Sequence, residues 1–366
     1  MRVLSPLLQR VIYPMLGSVG YFHSRRVAPL TVITYHGVLP PGYVSEDSFL
    51  DNTLVTEGAF RSQLRLLKKH YNVISPDEFL LWLRKGGNLP ERAALLTCDD
   101  GLLNHLSVMV PILREEKLKC VFFVTGSFLE STPSLLWYVE LYLLLMQAPV
   151  RETPILLQGI SIPEISGDLG QRRVVWLTLL KKLSQFDAGA RGSFLSAAAA
   201  GFGLQPSWKA RYLDDPLLRD RFQLLRLPEL RQLADAEMAI GAHSLSHPAL
   251  AEQSMELART EIAECRKVLE KSVGRRVWAI AYPFGDPASV GTREFKLAEE
   301  AGYESGFVNV GGVLDRVSSR FRLPRVHVTA EMSLSVYEAY VSGFHERLQA
   351  KFRPQADSDR VKENEG

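Results

Sequence analysis

Short apolar runs alternate with longer amphipathic segments between residues 30 and 126. The run LTVITYH, which begins at Leu30, has the length of a buried strand, and the next segment, TEGAFRSQLRLLKKHY, carries Phe60, Leu64 and Leu67 at helical spacing. The same order repeats in the segments NVISPDEFLLWLRKGG, AALLTCDDG, HLSVMVPILREEKL and KCVFFVTG. Alternating strands and helices are typical of parallel pairing, so this pattern predicts a parallel α/β sheet or barrel.

The alternation stops after Gly126, and apolar helical patterns follow for about a hundred residues. Within this part, the run LLWYVELYLLLM is too short for a membrane span and is typical of a buried helix. Strand and helix patterns resume with MAIGAHS and continue through VWAIAYPFG and YESGFVNV. We therefore predict one α/β domain, formed by residues 30–126 and 228–348, with a helical insertion at residues 127–227.

The two ends of the chain lie outside this pattern. Residues 1–29 are interrupted by Pro6, Arg10 and Pro14 and lack a clean apolar run before a cleavage site, so no cleavable signal is predicted. Two interpretations stay open for them: an extension packed on the domain, or a basic amphipathic helix that lies on a membrane surface. Residues 349–366 are predicted to be a charged flexible tail. We expect a cytoplasmic protein or one at the periphery of the inner membrane.

Composition narrows the class of protein. Hydrophobic residues make up 46% of the 366 residues and charged residues 23%, as in ordinary globular proteins. The net charge of +2 gives no reason to expect nucleic acid as a partner. Cys98, Cys120 and Cys265 show no CxxC spacing, so neither a disulfide framework nor a thiolate zinc site is predicted. The sequence does not indicate an oligomeric state.

Polar residues that can perform chemistry follow several of the predicted strands. Asp99 and Asp100 come after AALLTC, and His243 and His247 come after MAIGA. The motif YHG ends the first strand, and YPFG ends a later one. Because the carboxyl ends of parallel strands meet at one edge of a sheet or barrel, these side chains are candidates for one site.

The residue types predict metal-assisted hydrolysis. Two histidines four residues apart can share one ion if their segment turns helically, and a carboxylate completes a facial set with open positions. Such an ion polarises a carbonyl and lowers the pKa of a water molecule toward about 7. The second carboxylate would then act as general base. Each motif alone is weak, because DDG is common in turns and HxxxH is common on helix surfaces.

The order TCDDG, HSLSHP and AYPFG, preceded by LTVITYHGV, resembles the polysaccharide deacetylase (NodB homology) family, carbohydrate esterase family four. The resemblance covers residues 30–126 and 228–330 and implies a distorted (β/α) barrel. It also implies that Asp99 is the base and that Asp100, His243 and His247 bind a divalent metal, commonly zinc. The oxyanion would be held by that metal and by the backbone amide of Phe284, with Tyr282 beside it at the substrate.

The motifs depart from the family pattern at two positions. Cys98 replaces an aromatic residue, and we expect it to serve packing rather than thiol chemistry. Ala281 stands where the third motif has an arginine, which in the family pairs with the base. The partner of Asp99 must then come from elsewhere. Arg325, in RLPRVHV, is the candidate, and a surface or core-edge arginine is the alternative interpretation.

The general acid is a third point of departure. The family's late motif, whose histidine protonates the leaving amine, is poorly matched by RVHV and His327. In the branch of poly-N-acetylglucosamine deacetylases that this chain resembles, a histidine in a YH motif takes that role. His36 lies in such a motif and is preferred over His327. His105, in the following helix, is expected to face solvent.

These residues predict a hydrolase of carbon–nitrogen bonds other than peptide bonds. Its substrate would be an N-acetylated, or less readily an O-acetylated, saccharide of a cell-surface or exported polysaccharide or of its precursor. Two alternatives stay open: a non-catalytic carbohydrate-binding or scaffold protein on a decayed deacetylase barrel, and a metal-dependent hydrolase of small amides or imides. The aromatic residues of the insertion are expected in the core rather than stacked on sugar rings; they are Trp137, Tyr138, Trp176 and Trp208.

Overall fold

The strands of the barrel are the apolar runs of the sequence. The computed structural model describes residues 5–24, 30–127, 129, 134–311 and 319–351. Its strands are Leu30–Tyr35 (β1), Asn72–Val73 (β2), Ala93–Cys98 (β3), Val121–Val124 (β4), Ile155–Leu157 (β5), Ile160–Ile162 (β6), Ala239–Ala242 (β7), Ala279–Ala281 (β8), Ser305–Phe307 (β9) and Val326–His327 (β10). Every residue of β1, β3 and β4 is buried, as expected for parallel strands covered on both faces.

The main sheet is parallel and curls until its edges meet. Its order is β10-β1-β3-β4-β7-β8-β9, with β2 beside β3, while β5 and β6 form a separate antiparallel pair. Leu323 pairs with Phe307 of β9, and Val326 pairs with Ile33 of β1. The segment at residues 323–328, which contains the edge strand β10, therefore joins β1 to the other edge strand, β9. The predicted distorted (β/α) barrel with a helical insertion is confirmed.

Helices cover the outside of the sheet and form the insertion. They are Ser5–Leu7 (α1), Tyr13–Ser18 (α2), Tyr21–Ser24 (α3), Glu57–His70 (α4), Pro76–Lys85 (α5), Val110–Glu115 (α6), Trp137–Gln147 (α7), Leu169–Leu183 (α8), Ala188–Gly201 (α9), Ala210–Asp214 (α10), Pro216–Phe222 (α11), Leu227–Asp235 (α12), Met255–Val273 (α13), Thr292–Glu300 (α14), Leu334–Val341 (α15) and Phe344–Lys351 (α16). Leu8–Ile12 and His105–Met109 are π-helical, and Leu250–Glu252 is a 3₁₀ turn.

Local sequence sets where these helices begin. Ser75 caps α5, because its hydroxyl accepts a hydrogen bond from the Glu78 N–H while the Glu78 carboxylate accepts one from the Ser75 N–H. Gly86, with a φ of 70°, follows the last residue of α5. Helix α4 is capped in the same way by the hydroxyl of Thr56.

The apolar helix α7 is shared by two clusters of buried side chains. Leu141 and Leu144 pack with residues of α8 and α9, whereas Val139 and Tyr142 pack with Leu54 and Phe222. A helix that is apolar on all sides is stable only when it is buried on all sides. Helix α7 therefore holds the insertion against the barrel, and its first turn lies at the site described below.

The two ends of the described chain pack together. Tyr13 and Phe22 are buried against Val336 and Ala339 of α15. The Tyr13 hydroxyl lies 2.7 Å from Nδ1 of His345 on α16. Residues 349–351, where the predicted tail begins, still belong to α16, and residues 352–366 lie outside the described residues. Among the helices described, none has the length and apolar character required to cross a bilayer.

Candidate metal and catalytic centre

The DDG motif lies where β3 ends and the chain turns. The Asp99 N–H still donates to the Tyr35 carbonyl at 3.0 Å, which continues the pairing of β1 and β3. Asp100 and Gly101 then adopt left-handed backbone conformations, with φ of 83° and 80°. A Cβ atom on Gly101 would lie 2.9 Å from Cγ1 of Val124, so glycine is required here. The turn separates the two carboxylates and gives each its own surroundings.

Asp99 forms a buried bidentate ion pair with Arg325. The Arg325 Nη1 and Nη2 atoms donate to Oδ1 and Oδ2 of Asp99 at 2.7 and 2.6 Å. Nη1 also lies 3.1 Å from the Thr34 hydroxyl, and Nε donates to the Val308 carbonyl at 3.3 Å. Arg325 is fully buried, so the alternative interpretation of a surface arginine is wrong. Arg325, from the segment that closes the barrel, therefore makes the ion pair with Asp99 that Ala281 cannot make.

The ion pair determines the charge of Asp99. Burial would raise the pKa of this carboxyl, but Arg325, with smaller contributions from His243 and His36, lowers it to about 2. Asp99 is therefore ionised near neutral pH. A carboxylate held by both oxygens in this way has a fixed orientation.

Asp100, His243 and His247 converge from two strand ends and are all buried. Oδ1 of Asp100 lies 3.5 Å from Nε2 of His243 and 3.4 Å from Nε2 of His247. Two ligand atoms that are each about 2.1 Å from a tetrahedral ion are about 3.4 Å apart. The spacing and the donor types, one carboxylate and two imidazoles, therefore fit a divalent metal. Oδ1 of Asp100 has no hydrogen bond of normal geometry among the described residues.

The two imidazoles are prepared as ligands in different ways. Nδ1 of His243 lies 2.7 Å from the Ala281 carbonyl, which can only accept, so Nδ1 carries the proton and Nε2 is left for a metal. Burial would lower the pKa of His243, but Asp100 and Asp99 raise it above the usual value. For His247, burial outweighs the effect of Asp100 and lowers the pKa.

The HSLSH segment is a loop with two left-handed residues, so the helical turn considered from the sequence is not formed. Ser244 and His247 have φ of 60° and 59°. The His247 N–H donates to the Ser244 hydroxyl at 3.0 Å, and the N–H and hydroxyl of Ser246 both donate to the carboxylate of Glu261 on α13. These contacts, rather than helical spacing, bring the two imidazoles together.

The insertion contacts the same loop through two residues that sequence reasoning missed as site residues. Nε1 of Trp137, the first residue of α7, donates to the His247 carbonyl at 2.8 Å. Nη2 of Arg191, on α9, donates to the Ser246 carbonyl at 2.8 Å. The guanidinium of Arg191 also lies 5.0 Å from the centre of the Trp137 ring. No motif marks either residue, because their role comes from tertiary packing.

Tyr138 reaches the ligand carboxylate from the insertion. Its hydroxyl lies 3.4 Å from Oδ2 of Asp100, and its ring centre is 5.2 Å from that of His247. Tyr138 is half-buried, unlike Trp137, which lies in the core as expected. The sequence could not distinguish the two, because they are adjacent on one apolar helix.

The YPFG motif places Phe284 at the site and Tyr282 away from it. The Gly285 N–H donates to the Pro283 carbonyl at 2.7 Å across Phe284, whose φ is 60°, and the Phe284 ring lies 4.9 Å from that of His247. A turn of this kind is strained and common at functional sites. The Tyr282 N–H donates to the Phe307 carbonyl, and its side chain is buried against Phe295. The expectation that Tyr282 contacts the oxyanion or substrate is therefore corrected.

Three further histidines differ in their surroundings. The rings of His36 and His327 are 4.6 Å apart, and both are half-buried. Burial, with the nearby His36 and Arg325, lowers the pKa of His327 to about 3. His105 is fully buried, with Nε2 lying 3.2 Å from Sγ of Cys98 and 3.2 Å from the His36 carbonyl. The expectation that His105 faces solvent is wrong, because its ring packs behind the strand ends.

Comparison with known proteins agrees with this geometry. A family model described as polysaccharide deacetylase matches residues 86–140 and 201–306. The chain therefore contains a polysaccharide deacetylase-type domain. The putative polysaccharide deacetylase YxkH of Bacillus subtilis (strain 168) is 26% identical over 113 residues, which are 31% of this chain and 39% of the relative. The chain thus matches about two fifths of that relative's length.

Solved structures of deacetylases have the same fold as this chain. Streptococcus pyogenes deacetylase PplD, in complex with acetate, superposes with a TM-score of 0.53 and 16% identity, covering 87% of this chain and 99% of that one. IcaB from Ammonifex degensii gives a TM-score of 0.51 and 16% identity, covering 87% and 98%. At such identities the likeness establishes the fold.

Replacing Arg325 in this deacetylase fold should destabilise the metal-free protein in a pH-dependent way. Because the pKa of Asp99 is lowered to about 2, its ionised form stabilises the fold above pH ~4, and this stabilisation is lost as pH falls toward 2. In Arg325→Met, burial without a partner raises that pKa instead, so the variant gains stability as pH falls through it. Urea unfolding with chelator should show a loss of about 3–5 kcal/mol at pH 7 and a smaller loss at pH 5.

The matched control for this experiment is the exposed Arg322 in the same segment. Arg322→Met should change the free energy of unfolding by less than about 0.5 kcal/mol at either pH. Equal losses for Arg325→Met at pH 7 and pH 5 would contradict the assignment of the pH dependence to Asp99.

Removing the hydrogen bond from the insertion should weaken metal binding. Trp137→Phe keeps an aromatic ring but leaves the His247 carbonyl without its donor, so zinc affinity should fall about 10–100-fold. His243→Ala should retain no stoichiometric zinc after dialysis. Competition titration with a chelating dye measures the zinc affinity of Trp137→Phe, and elemental analysis measures the zinc content of His243→Ala.

Trp208→Phe, also in the insertion, is the control and should bind zinc as the wild type does. Unchanged zinc affinity in Trp137→Phe would show that the contact does not support the loop that carries His247.

Proposed function

We propose that the protein is a metal-dependent deacetylase that removes acetyl groups, most readily N-acetyl groups, from a saccharide of a cell-surface or exported polysaccharide or of its precursor. The observation that carries the proposal is the adjacency of two differently prepared carboxylates. Asp100 faces two imidazoles at ligand spacing, while Asp99 is held by Arg325. A hydrolase of this kind needs one group to bind an ion and another to take a proton.

The residues that would hold the metal are Asp100, His243 and His247, and zinc suits their donor set. When bound, the ion supplies a Lewis acid that polarises the acetyl carbonyl and makes water a stronger acid. Asp99 accepts the proton of the attacking water at a carboxylate oxygen. Arg325 keeps Asp99 ionised and oriented for this step. The two carboxylates thus have different roles in the proposal: Asp100 would bind the metal and Asp99 takes the proton.

The backbone at Phe284 supports the oxyanion in this proposal. The strained turn around Phe284 fixes the direction of its N–H, which has no hydrogen-bond acceptor among the described residues. A preorganised N–H aimed at developing negative charge stabilises the transition state without a reorganisation cost. Phe284 and Tyr138 also place two aromatic rings, 6.2 Å apart, beside His247. These rings offer an apolar wall for the methyl group of the acetyl.

His36 is our candidate for the general acid that protonates the leaving amine. It follows β1, so it lies at the same end of the barrel as Asp99. Nδ1 of His36 is buried and has no hydrogen-bond partner among the described residues, which leaves it for a proton to be delivered. His327 is less suited, because its lowered pKa keeps the imidazole neutral at neutral pH. This arrangement supports placing the protein near YH-motif deacetylases of poly-N-acetylglucosamine.

The non-catalytic alternative loses its main support. It was based on the absence of the third-motif arginine, and Arg325 makes the contact that such an arginine would make. A scaffold would bind an N-acetylated oligosaccharide without releasing acetate. Measuring oligosaccharide binding by calorimetry beside acetate release separates the two functions.

Asp99→Asn should abolish turnover while leaving the metal in place. The amide cannot accept a proton from water, so acetate release from N-acetylglucosamine oligomers should fall by about 10²–10⁴-fold. Elemental analysis should find the same zinc content as in the wild type, because Asp99 is outside the ligand set. His243→Ala, which removes a ligand, should lose both zinc and activity. Wild-type rates in Asp99→Asn would exclude Asp99 as the base.

His36→Gln should slow amide hydrolysis and spare ester hydrolysis. An amine leaves only when protonated, whereas the phenolate of p-nitrophenyl acetate leaves without a proton. We therefore expect acetate release from the N-acetylated oligomer to fall about 10²–10³-fold, with ester hydrolysis within about threefold of the wild type. His327→Gln is the matched comparison. If it shows the selective loss and His36→Gln does not, the acid is His327.

A further inference from the structure

A row of exposed apolar side chains runs along the N-terminal helices. Leu7, Val11 and Met15 are four residues apart and are 49%, 53% and 60% exposed, and Val19, just after α2, is 74% exposed. These four residues are called the N-terminal stripe. Contiguous exposed apolar side chains on a helix mark a surface for a partner or a membrane rather than ordinary scatter.

The fold of these helices does not require the stripe. The opposite side carries Tyr13, which is fully buried, and Leu16, which is partly buried against the same cluster. That side packs on α15 and α16 and holds the helices in place. The molecule therefore has a helix with one apolar side for its own core and a second apolar side that faces outward.

The segment that carries the stripe is basic in sequence, and its one described arginine, Arg10, is exposed. Residues 1–45 contain Arg2, Arg10, Arg25 and Arg26 and no aspartate or glutamate. A small apolar cavity beside the helices is lined by Phe22 and Phe344 and also by two basic residues, Arg347 and Lys351. On the supporting helices Glu338 is buried and Glu346 is half-buried, which raises the pKa of Glu346 to about 7, while Glu331, before α15, is exposed. An exposed apolar row in a segment that has arginines and no acidic residue matches an anionic lipid surface.

The C-terminal end of α2 packs against the first turn of α15. Gly17 of α2 packs so closely on Ser335 that a Cβ atom would lie 3.0 Å from its hydroxyl oxygen. Ser335 is in the first turn of α15, the next helix after β10, and β10 ends at His327 beside His36. The N-terminal helices thus pack on the helix that follows β10 in the chain.

We propose that the N-terminal stripe docks the protein on the surface of a bilayer that contains anionic lipid. The four apolar side chains enter the boundary between headgroups and acyl chains, while the exposed Arg10 contacts the headgroups. This contact would hold the centre close to acetylated saccharide that is attached to, or emerging from, the membrane. The proposal concerns binding only and does not depend on catalysis.

Vesicle sedimentation of the full chain tests it. The protein should bind vesicles of phosphatidylcholine with about a third phosphatidylglycerol at least tenfold more tightly than vesicles of phosphatidylcholine alone, and 0.5 M NaCl should weaken the binding. Val11→Glu with Met15→Glu should reduce binding at least tenfold. Acetate release by this variant from a soluble oligosaccharide should equal that of the wild type, which separates failure of docking from failure of the proposed function.

The matched control places the same two charges on exposed apolar residues of the insertion. Leu156 and Val174 are 72% and 62% exposed, and their replacement by glutamate should leave vesicle binding unchanged. Loss of binding in this control, or no binding of the wild-type protein to anionic vesicles, would overturn the proposal. Conversion of a wild-type dimer to a monomer by Val11→Glu with Met15→Glu, seen by light scattering, would also overturn it and assign the stripe to a second copy of the chain.

Discussion

The buried ion pair between Arg325 and Asp99 links the closing of the barrel to the chemistry of its mouth. Arg325 belongs to the segment that joins β1 to β9, and Asp99 follows a central strand. A charge pair with no access to water is stable only when its geometry is good and its remaining donors are satisfied. Thr34 and Val308 supply acceptors for those donors. The proposed base is therefore oriented only when the last strand is in place.

The three candidate metal ligands depend on a second set of contacts, which the insertion supplies. Trp137 and Arg191 hold the loop that presents His247, and Tyr138 touches the carboxylate of Asp100. An insertion of this size is often regarded as an addition to a catalytic domain. Here it supplies the outer contacts of the ligand set, so barrel and insertion form one functional unit.

Sequence patterns could predict the buried parallel strands and the polar motifs that follow them. Parallel strands read as apolar runs because both of their faces are covered, and Asp99, Asp100, His243 and His247 follow such runs directly. Arg325 could be proposed because a base without its usual partner needs another one. The sequence could not predict the contacts of Tyr138, Trp137 and Arg191, because the partners of these side chains are far away in the chain. Tyr282 was misplaced because it still pairs with Phe307 as an extension of β8, and the turn that brings Phe284 to the site begins after it, at Pro283.

Cys98 directly precedes the proposed base, yet its surroundings make it inert. Burial raises the pKa of its thiol well above the usual value, and Sγ packs against His105 and Met109. Cys120 and Cys265 are also buried, with pKa values raised by burial. Oxidants and alkylating reagents attack exposed thiolates. The folded protein should therefore tolerate oxidising and reducing surroundings equally, and its cysteines do not indicate in which of them it works.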